Sequence, residues 1–397
     1  MAPIRVLVVD DSALMRQMIS RFLEEAGMEV CGTARDGIEG LQKALELSPD
    51  VITLDVEMPR MDGLEMLRRL MRERPLPVVM VSSVTQRQAP AAIEALLIGA
   101  VDVVAKPGGP ISLNLADVRD ELVAKVRAAA RAVPGERPGA GTGRGSRGQA
   151  RTVAAFEAAP ARESAEAFPP REAAAARELA AAIEGDRDGA AAGDEAVKPR
   201  AAGAQGPRGP APVIVGSSTG GPGALSTLLS GLPAGFPRPI IIVQHMPPGF
   251  TASLAHRLDS LSPLSVREAV EGRVPRAGEV WVARGGRHLV FDRRGRMRFS
   301  DAPPHLGVRP AVDVTLESAV DVWGGSVLAV ILTGMGVDGC RGARKLKKAG
   351  GQVLAQDEAT SVVYGMPRAV AELALADEIR SLPAMAGALV RAVGACA

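Results

Sequence analysis

Two blocks of this chain alternate short apolar runs with helical patterns, and this alternation narrows the possible folds more than any other feature. In the first block the apolar runs are RVLVVD, EVCGTA, VITLDV, PVVMVSS and VDVVAKP. Between them lie segments with apolar residues three and four positions apart, as in 12–26 and 63–73. Strands that alternate with helices predict a parallel sheet covered by helices on both faces.

The alternation stops after residue 125 and resumes after residue 209. Residues 126–209 are rich in Ala, Gly, Pro and Arg, with too few branched apolar side chains to offset the entropy lost on ordering. The second block offers six strand-like runs: PVIVGSS, PIIIVQHM, EVWVAR, HLVFD, MRFSD and SVLAVILTG. We therefore expect α/β domains over 1–125 and 210–397, joined by a flexible linker over 126–209.

Charge and cysteine usage exclude several classes of protein. The formal net charge of +2 gives no indication of nucleic-acid or anionic-membrane binding. Cys31, Cys340 and Cys396 lie far apart, which argues against a disulfide framework or a zinc site and indicates a reducing compartment. Because no apolar run reaches about 18 residues and the N-terminus lacks a signal-peptide pattern, we expect a cytoplasmic protein without membrane insertion.

Polar residues close the strands of the first block, at the ends that a doubly wound sheet gathers into one crevice. Asp10 and Asp11 close the first strand, Asp55 closes the third and Ser82 closes the fourth, while Lys106 follows the fifth. Carboxylates this close repel one another unless a hard cation lies among them, and oxygen ligands suit Mg²⁺. The pattern predicts a Mg²⁺ site beside an Asp that accepts a phosphoryl group. Any one of these acids alone would be better explained as a loop residue or a helix N-cap.

With the string LDVEMPRMDG, the first block resembles the receiver domain of bacterial response regulators. The resemblance implies a flavodoxin-like sheet of five parallel strands and a histidine kinase as phosphodonor. It also implies Asp55 as phosphoacceptor, Asp10 and Asp11 with Asp55 as the Mg²⁺ site, and Ser82 and Lys106 as switch residues.

The loop GSSTGG, residues 216–221, lies between the apolar run VIVG and a helical pattern. A glycine-rich turn of this kind can bind phosphate through its backbone N–H groups, but it lacks the Lys of a P-loop and the spacing of a dinucleotide site. It also has the G-x-S-x-G form, in which a serine projects from a tight turn and backbone N–H groups face an oxyanion. That motif needs a base and an orienting acid.

Of the four histidines, His245, His256, His288 and His305, only His245 directly follows a buried-type strand, as Ser218 does. His305 lies in a proline-rich loop and could line a site. Asp338 follows the most apolar strand, at the start of a helical pattern, where an N-cap is the competing interpretation. Three strands would then bring a hydroxyl, an imidazole and a carboxylate to one sheet edge, as a catalytic triad requires.

Five strings of the second block together resemble the catalytic domain of chemotaxis protein-glutamate methylesterases, the CheB family. They are GSSTGGPGAL, VQHMPPGFT, ILTGMGVDG, RPAVDVTLESA and GQVLAQDEATSVVYGMPRAV. The resemblance implies a doubly wound, mainly parallel α/β domain with a β-hairpin. It also implies Ser218 as nucleophile, His245 as general base, Asp338 as its orienting acid, and the Met335 N–H as oxyanion donor, with Thr219 beside the nucleophile.

This resemblance implies a phosphorylation-activated enzyme that hydrolyses glutamyl methyl esters on the cytoplasmic helices of chemoreceptors and also deamidates receptor glutamine. The esterase half would need no cofactor. An alternative is a phospho-gated esterase or scaffold in a related signalling pathway. A DNA-binding output domain would instead require a basic helix-turn-helix.

Three features depart from the family pattern. Val103 stands where receivers often carry an aromatic switch residue, and Ser217 replaces the usual alanine and offers a second hydroxyl beside the nucleophile. The linker is also longer than is usual in the family.

Overall fold

A five-stranded parallel sheet, with the strand order β2-β1-β3-β4-β5, forms the centre of the N-terminal unit. The structure, a computed structural model, describes residues 2–82, 89–106, 115–132 and 209–394. The strands are β1 (Arg5–Val9), β2 (Glu29–Ala34), β3 (Val51–Asp55), β4 (Val78–Ser82) and β5 (Asp102–Ala105). The helices are α1 (Ala13–Glu25), α2 (Gly37–Leu47), α3 (Gly63–Glu73), α4 (Ala89–Ile98) and α5 (Leu115–Arg131).

Both faces of this sheet are apolar because side chains alternate along each strand. In β1, Leu7 and Val9 lie in a buried cluster with side chains of α2, α3 and α4. Val6 and Val8 point to the other face and pack in a second cluster with α1 and α5. The predicted flavodoxin-like arrangement, with helices on both faces of a parallel sheet, is therefore confirmed.

The C-terminal unit contains a parallel seven-stranded sheet, ordered β14-β13-β12-β6-β7-β9-β8, and an antiparallel hairpin. The strands of the sheet are β6 (Val213–Ser217), β7 (Ile240–Gln244), β8 (Ser265–Glu268), β9 (Glu279–Val282), β12 (Leu328–Ile331), β13 (Gln352–Gln356) and β14 (Glu378–Arg380). The hairpin is β10 (His288–Phe291) and β11 (Met297–Ser300). The helices are α6 (Gly221–Ser230), α7 (Thr251–Asp259), α8 (Val312–Trp323), α9 (Cys340–Lys348), α10 (Met366–Glu372) and α11 (Leu382–Ala392).

The predicted parallel α/β domain with a hairpin is confirmed, but its strands β8, β13 and β14 were not predicted. Strands β8 and β14 lie at the sheet edges and are partly exposed, so their sequences SVRE and EIR lack an apolar run. Helix α5 extends to Arg131, beyond the predicted boundary at residue 125. Residues 133–208 of the predicted linker lie outside the described residues. None of the described helices has the length and apolar character needed to cross a membrane.

Strand β6 pairs with β12 on one side and β7 on the other. All three strands run in the same direction, so their carboxyl ends lie next to one another at one edge of the sheet. The loops that follow them carry Ser218, His245 and Asp338. The strand order therefore brings together residues that are far apart in the chain.

The two units share an apolar interface near this edge. Helix α4 of the N-terminal unit packs against α6 and α7 of the C-terminal unit. One buried cluster includes Ile93 and Leu96 from α4 together with Leu225 from α6 and Leu254 from α7. The receiver-like unit is thus packed, through α4, against the two helices that follow β6 and β7.

Gly342 of α9 allows a test of how closely α8 and α9 pack, and Gly223 of α6 is the matched control. A Cβ on Gly342 of α9 would lie 2.9 Å from Leu316 Cβ of α8, whereas a Cβ on Gly223 of α6 would meet nothing within 4 Å. Both substitutions to Ala gain helix propensity, up to about 1 kcal/mol. We expect Gly342→Ala nevertheless to destabilise the chain by roughly 1–3 kcal/mol through overpacking, and Gly223→Ala to be neutral or stabilising. Thermal unfolding followed by circular dichroism measures both, and equal midpoints would contradict the close packing.

Candidate active site

Ser218 lies in the turn between β6 and α6. Its N–H donates to the Thr333 carbonyl at 3.0 Å, and its carbonyl accepts from Gln244 Nε2 at 2.8 Å. The turn closes through Gly220, whose φ of +77° is a left-handed conformation that side chains disfavour. A Cβ there would also lie 2.6 Å from Val362. The backbone around Ser218 is therefore held on both sides, while its half-buried side chain reaches the sheet edge.

The neighbouring hydroxyl of Ser217 is already engaged. Ser217 is fully buried and donates to Gln244 Oε1 at 2.6 Å. By contrast, the Ser218 hydroxyl has no hydrogen-bond partner among the described residues. Of the two serines in this turn, Ser218 is the one whose oxygen is available for chemistry.

His245 and Asp338 form a close pair at the same edge. His245 Nε2 lies 2.7 Å from Asp338 Oδ2, and both side chains are largely buried. The His245 N–H donates to the Ser217 carbonyl at 3.0 Å, which ties the histidine to the serine turn. With Nε2 occupied by the carboxylate, Nδ1 is the ring nitrogen left to accept a proton from a serine.

Asp338 also accepts two backbone hydrogen bonds. Its Oδ2 accepts from the Val312 N–H at 2.6 Å, and its Oδ1 accepts from the Asp313 N–H at 2.9 Å. The N-cap interpretation is therefore partly correct, but the helix that Asp338 caps is α8 and not α9, which follows it in the chain. Burial raises the pKa of Asp338, but the His245 interactions and the two N–H donors outweigh burial and leave this pKa below its ordinary value. The carboxylate is thus ionised and fixed in direction.

The GMG turn after β12 lies against Ser218. A Cβ on Gly334 would come within 2.8 Å of Ser218 Cβ and 3.0 Å of its nitrogen, so only glycine allows this approach. The Gly334 carbonyl accepts from the Gly365 and Met366 N–H groups at 3.1 and 2.8 Å. The Met335 N–H donates to no other group in the described part of the chain. Within the described residues, this N–H is therefore free in the turn that lies against Ser218.

Thr219, predicted to lie beside the nucleophile, is the next residue after Ser218, and its side chain contacts the N-terminal unit. Its buried hydroxyl donates to Asp102 Oδ2 at 2.5 Å, and the next residue, Gly220, donates its N–H to the Val101 carbonyl at 3.1 Å. Asp102 Oδ1 in turn lies 3.1 Å from Lys125 Nζ, which also contacts Glu121. Burial lowers the pKa of Lys125, but these two acids outweigh it, so the ammonium stays charged. The receiver-like unit thus contacts the loop that carries Ser218.

The acidic residues predicted for the first block also meet. Carboxylate oxygens of Asp10, Asp11 and Asp55 lie within 4.8 Å of one another. Lys106 Nζ lies 2.8 Å from Asp10 Oδ2 and 2.7 Å from Asp55 Oδ2. Ser82, at the end of β4, is buried and accepts the Lys106 N–H on its carbonyl at 2.9 Å. Three carboxylates and no nitrogen or sulfur ligand make a donor set that fits Mg²⁺.

Burial raises the pKa of Asp55 to about 6, with the Asp10 charge adding to the rise and Lys106 opposing it. The folded unit therefore binds more protons than the unfolded chain between about pH 4 and pH 6, and stability is lost as the pH rises through this window. We expect Asp55→Asn to raise the unfolding midpoint at pH 7 without Mg²⁺, by the equivalent of roughly 1–3 kcal/mol. The gain should vanish at about pH 3.5, where Asp55 is protonated in both states.

Asp62→Asn is the matched control, because Asp62 is an exposed N-cap and Asn caps a helix equally well. Thermal unfolding at the two pH values measures the difference. A loss of stability in Asp55→Asn that is the same at both pH values would contradict the assigned cause.

Sequence reasoning missed Asp102, Gln244, Asp313 and Thr333. Asp102 and Thr219 lie 117 positions apart, and no local pattern marks either as the partner of the other. Gln244 and Thr333 support the serine turn from neighbouring strand ends. Gln244 ends β7 and Thr333 lies two residues after β12, so their position near the end of a buried strand was the available signal, as it was for His245.

Two family models match the chain. One is the CheB methylesterase, over residues 213–389, and the other is the response regulator receiver domain, over residues 6–116. A crystal structure of the Thermotoga maritima CheB methylesterase catalytic domain is 45% identical, covers 46% of this chain and 98% of that chain, and has a TM-score of 0.45.

Full-length relatives match as well. The protein-glutamate methylesterase/protein-glutamine glutaminase of Symbiobacterium thermophilum is 50% identical over 393 residues, 99% of this chain and 98% of that protein. The protein of the same name from Thermotoga maritima is 41% identical over 385 residues, 96% of this chain and 95% of that protein. A receiver half and an esterase half occur together over the whole length of these matches. The chain therefore belongs to the protein-glutamate methylesterase/protein-glutamine glutaminase family, with a response regulator receiver domain followed by a CheB methylesterase domain.

Proposed function

We propose that this chain is a phosphorylation-activated protein-glutamate methylesterase that hydrolyses glutamyl methyl esters on chemoreceptors and releases methanol during chemotactic adaptation. The observation that carries the proposal is the buried His245–Asp338 pair, with an Nε2–Oδ2 distance of 2.7 Å, at the sheet edge where Ser218 directly follows β6. The substrate helices lie on the cytoplasmic side of the receptor, where we also place the enzyme.

In the first half of the reaction, Ser218 Oγ attacks the ester carbonyl carbon while His245 Nδ1 takes its proton. The imidazolium that forms is stabilised by its Nε2–H bond to the ionised Asp338. The Met335 N–H is placed to donate to the oxyanion of the tetrahedral intermediate. When the C–O bond breaks, His245 returns the proton to the departing methoxide, which leaves as methanol.

In the second half, a water molecule attacks the glutamyl-enzyme carbonyl and gives a proton to His245. Collapse of this intermediate breaks the bond to Ser218, which regains its proton, and the receptor glutamate is released. The same steps remove ammonia from a receptor glutamine, because an amide differs from the ester only in its leaving group. This supports a second, deamidase activity at the same site.

Phosphorylation is proposed at Asp55, with a histidine kinase as phosphodonor. Asp10, Asp11 and Asp55 would hold Mg²⁺, which neutralises charge on the phosphoryl donor when it is bound. Lys106 Nζ, already within 2.8 Å of Asp10 and Asp55, adds a positive charge next to the acceptor. We propose that Ser82 hydrogen-bonds the phosphoryl group at the end of β4.

The contact between Asp102 and Thr219 supports a route from this site to the esterase. It joins β5, the neighbour of β4, directly to the residue after the nucleophile. We propose that the unphosphorylated receiver holds the serine turn and covers the catalytic edge, and that phosphorylation loosens this contact. In β5, Val103 stands where receivers often carry an aromatic switch residue. The proposed route therefore runs through Asp102 and the β5 backbone and not through an aromatic side chain.

The choice of nucleophile can be tested with the two neighbouring serines. We expect Ser218→Ala to lower methanol release from methylated receptors at least about a thousandfold, because the acyl-enzyme cannot form. Ser217→Ala should retain activity within about tenfold, since it loses a single neutral hydrogen bond worth roughly 0.5–1.5 kcal/mol. Methanol release by the phosphorylated chain measures both, and full activity of Ser218→Ala would reject the assignment.

The gating contact can be tested in the unphosphorylated chain. Asp102→Ala removes the acceptor of the Thr219 hydroxyl, and a hydrogen bond to a charged group is worth roughly 1.5–3 kcal/mol. We therefore expect basal methanol release to rise about tenfold or more, while the rate with a small phosphodonor and Mg²⁺ stays close to that of the wild type.

Asp120→Ala is the matched control, since Asp120 is exposed on α5 and pairs with Arg119. Thermal unfolding of both variants shows whether the receiver remains folded, and so distinguishes loosening of the contact from unfolding of the receiver. An unchanged basal rate in Asp102→Ala would contradict gating through this contact.

A further inference from the structure

A second histidine–aspartate pair lies beside the catalytic one and has no role in the mechanism above. His305 Nε2 is 2.9 Å from Asp313 Oδ2, with Asp313 buried and His305 half-buried. Atoms of His305, Asp313 and Asp338 lie within 4.8 Å of one another. The second pair therefore directly adjoins the carboxylate that orients His245.

The two aspartates cap each other's helices. Neither α8 nor α9 has a capping side chain of its own, since the N-cap positions are Ala311 and Gly339. Asp338, just before α9, accepts the first N–H groups of α8. Asp313, in the first turn of α8, accepts the Gly339 and Gly342 N–H groups of α9 at 3.0 and 2.8 Å. A shift of either helix start would therefore move the Asp338 carboxylate relative to His245.

The arrangement puts two buried carboxylates close together. Burial raises the pKa of Asp313 to about 6, with the Asp338 charge as the second cause. The hydrogen bond with Asp313 raises the pKa of His305. The N-termini of α8 and α9 supply partial positive charges, and protonated His305 supplies a full positive charge. The other titratable and charged groups facing the cluster are His245, His288, Arg309, Arg341 and Cys340. Of these, buried His288 has a lowered pKa, which favours its neutral form.

We propose that His305 and Asp313 are positioning residues of the active site, which hold Asp338 in line with His245 Nε2 and offset the repulsion between the two carboxylates. The proposal rests on the proposed function, because it assigns the pair to the same reaction. Asp313 acts by fixing both helix starts, and His305 acts by keeping Asp313 ionised and its oxygens available to α9. Neither residue touches the substrate.

The pair has a defined pH window. It is fully charged above the pKa of Asp313, about 6, and below the raised pKa of His305. As the pH rises through the His305 pKa, the full positive charge is lost and the two carboxylates keep their backbone N–H donors but not the charge of His305. We therefore expect the kcat of the wild type to fall on the alkaline side, as His305 loses its proton.

The experiment uses the full chain with Mg²⁺, a small phosphodonor and methylated receptor, and measures kcat and KM for methanol release from about pH 6 to 10. His305→Gln keeps a neutral donor to Asp313 but cannot carry charge, and Asp313→Asn keeps an acceptor for the α9 N–H groups. We expect both to lower kcat roughly 10- to 100-fold at pH 7.5, as small misplacements do. KM should change less than about threefold, and His305→Gln should lose the alkaline fall.

A second readout does not depend on activity. The hydrogen-bonded Nε2 proton of His245 is followed by proton NMR at low field and assigned by its absence in His245→Gln. We expect this resonance to move or broaden in His305→Gln and Asp313→Asn. His256→Gln, an exposed histidine on α7, is the matched control and should leave every readout unchanged.

The outcomes separate this inference from the proposed function. A lowered kcat with an unchanged alkaline fall and an unchanged resonance would give the pair a folding role only and overturn the proposal. Wild-type kcat in both variants would overturn it as well. If the wild type itself released no methanol, the proposed function would fail, and the resonance would still decide for or against the positioning role.

Discussion

The candidate active site depends on one buried carboxylate. Asp338 receives hydrogen bonds from His245 Nε2 and from the backbone N–H groups of Val312 and Asp313. An ionised group can lie this deep only because each of its oxygens is satisfied and positive charge or partial charge surrounds it. The same bonds that keep Asp338 ionised also join α8 to α9, so the orientation of His245 and the packing of two helices have a single cause.

Close backbone approach explains why the loops at this edge are rich in glycine. The Gly334 turn lies against Ser218, and the left-handed Gly220 closes the turn before α6. Both positions leave no room for a side chain. The result is a serine held through its backbone, with its side chain left accessible beside a backbone N–H donor, which suits an enzyme that must stabilise charge only as the reaction proceeds.

The two domains are coupled at few polar points within a larger apolar interface. Helix α4 packs on α6 and α7, while Asp102 accepts from Thr219 and the Val101 carbonyl accepts from Gly220. The apolar packing does not require strict geometry. The two hydrogen bonds require exact atomic positions next to Ser218, so a small shift of β5 is sufficient to alter them.

The sequence by itself determined the fold class and the three strand-end residues Ser218, His245 and Asp338, because strand period and parallel topology dictate which chain positions reach one sheet edge. It indicated the family through the resemblance of its motifs. It did not reveal the edge strands β8 and β14, whose polar sequences lack a periodic signal. Only the tertiary structure decided that Asp338 caps α8, that Asp313 caps α9 in return, and that Thr219 binds Asp102. These contacts join residues 25 to 117 positions apart, and a hydrogen bond between such distant groups depends on packing that no local pattern records.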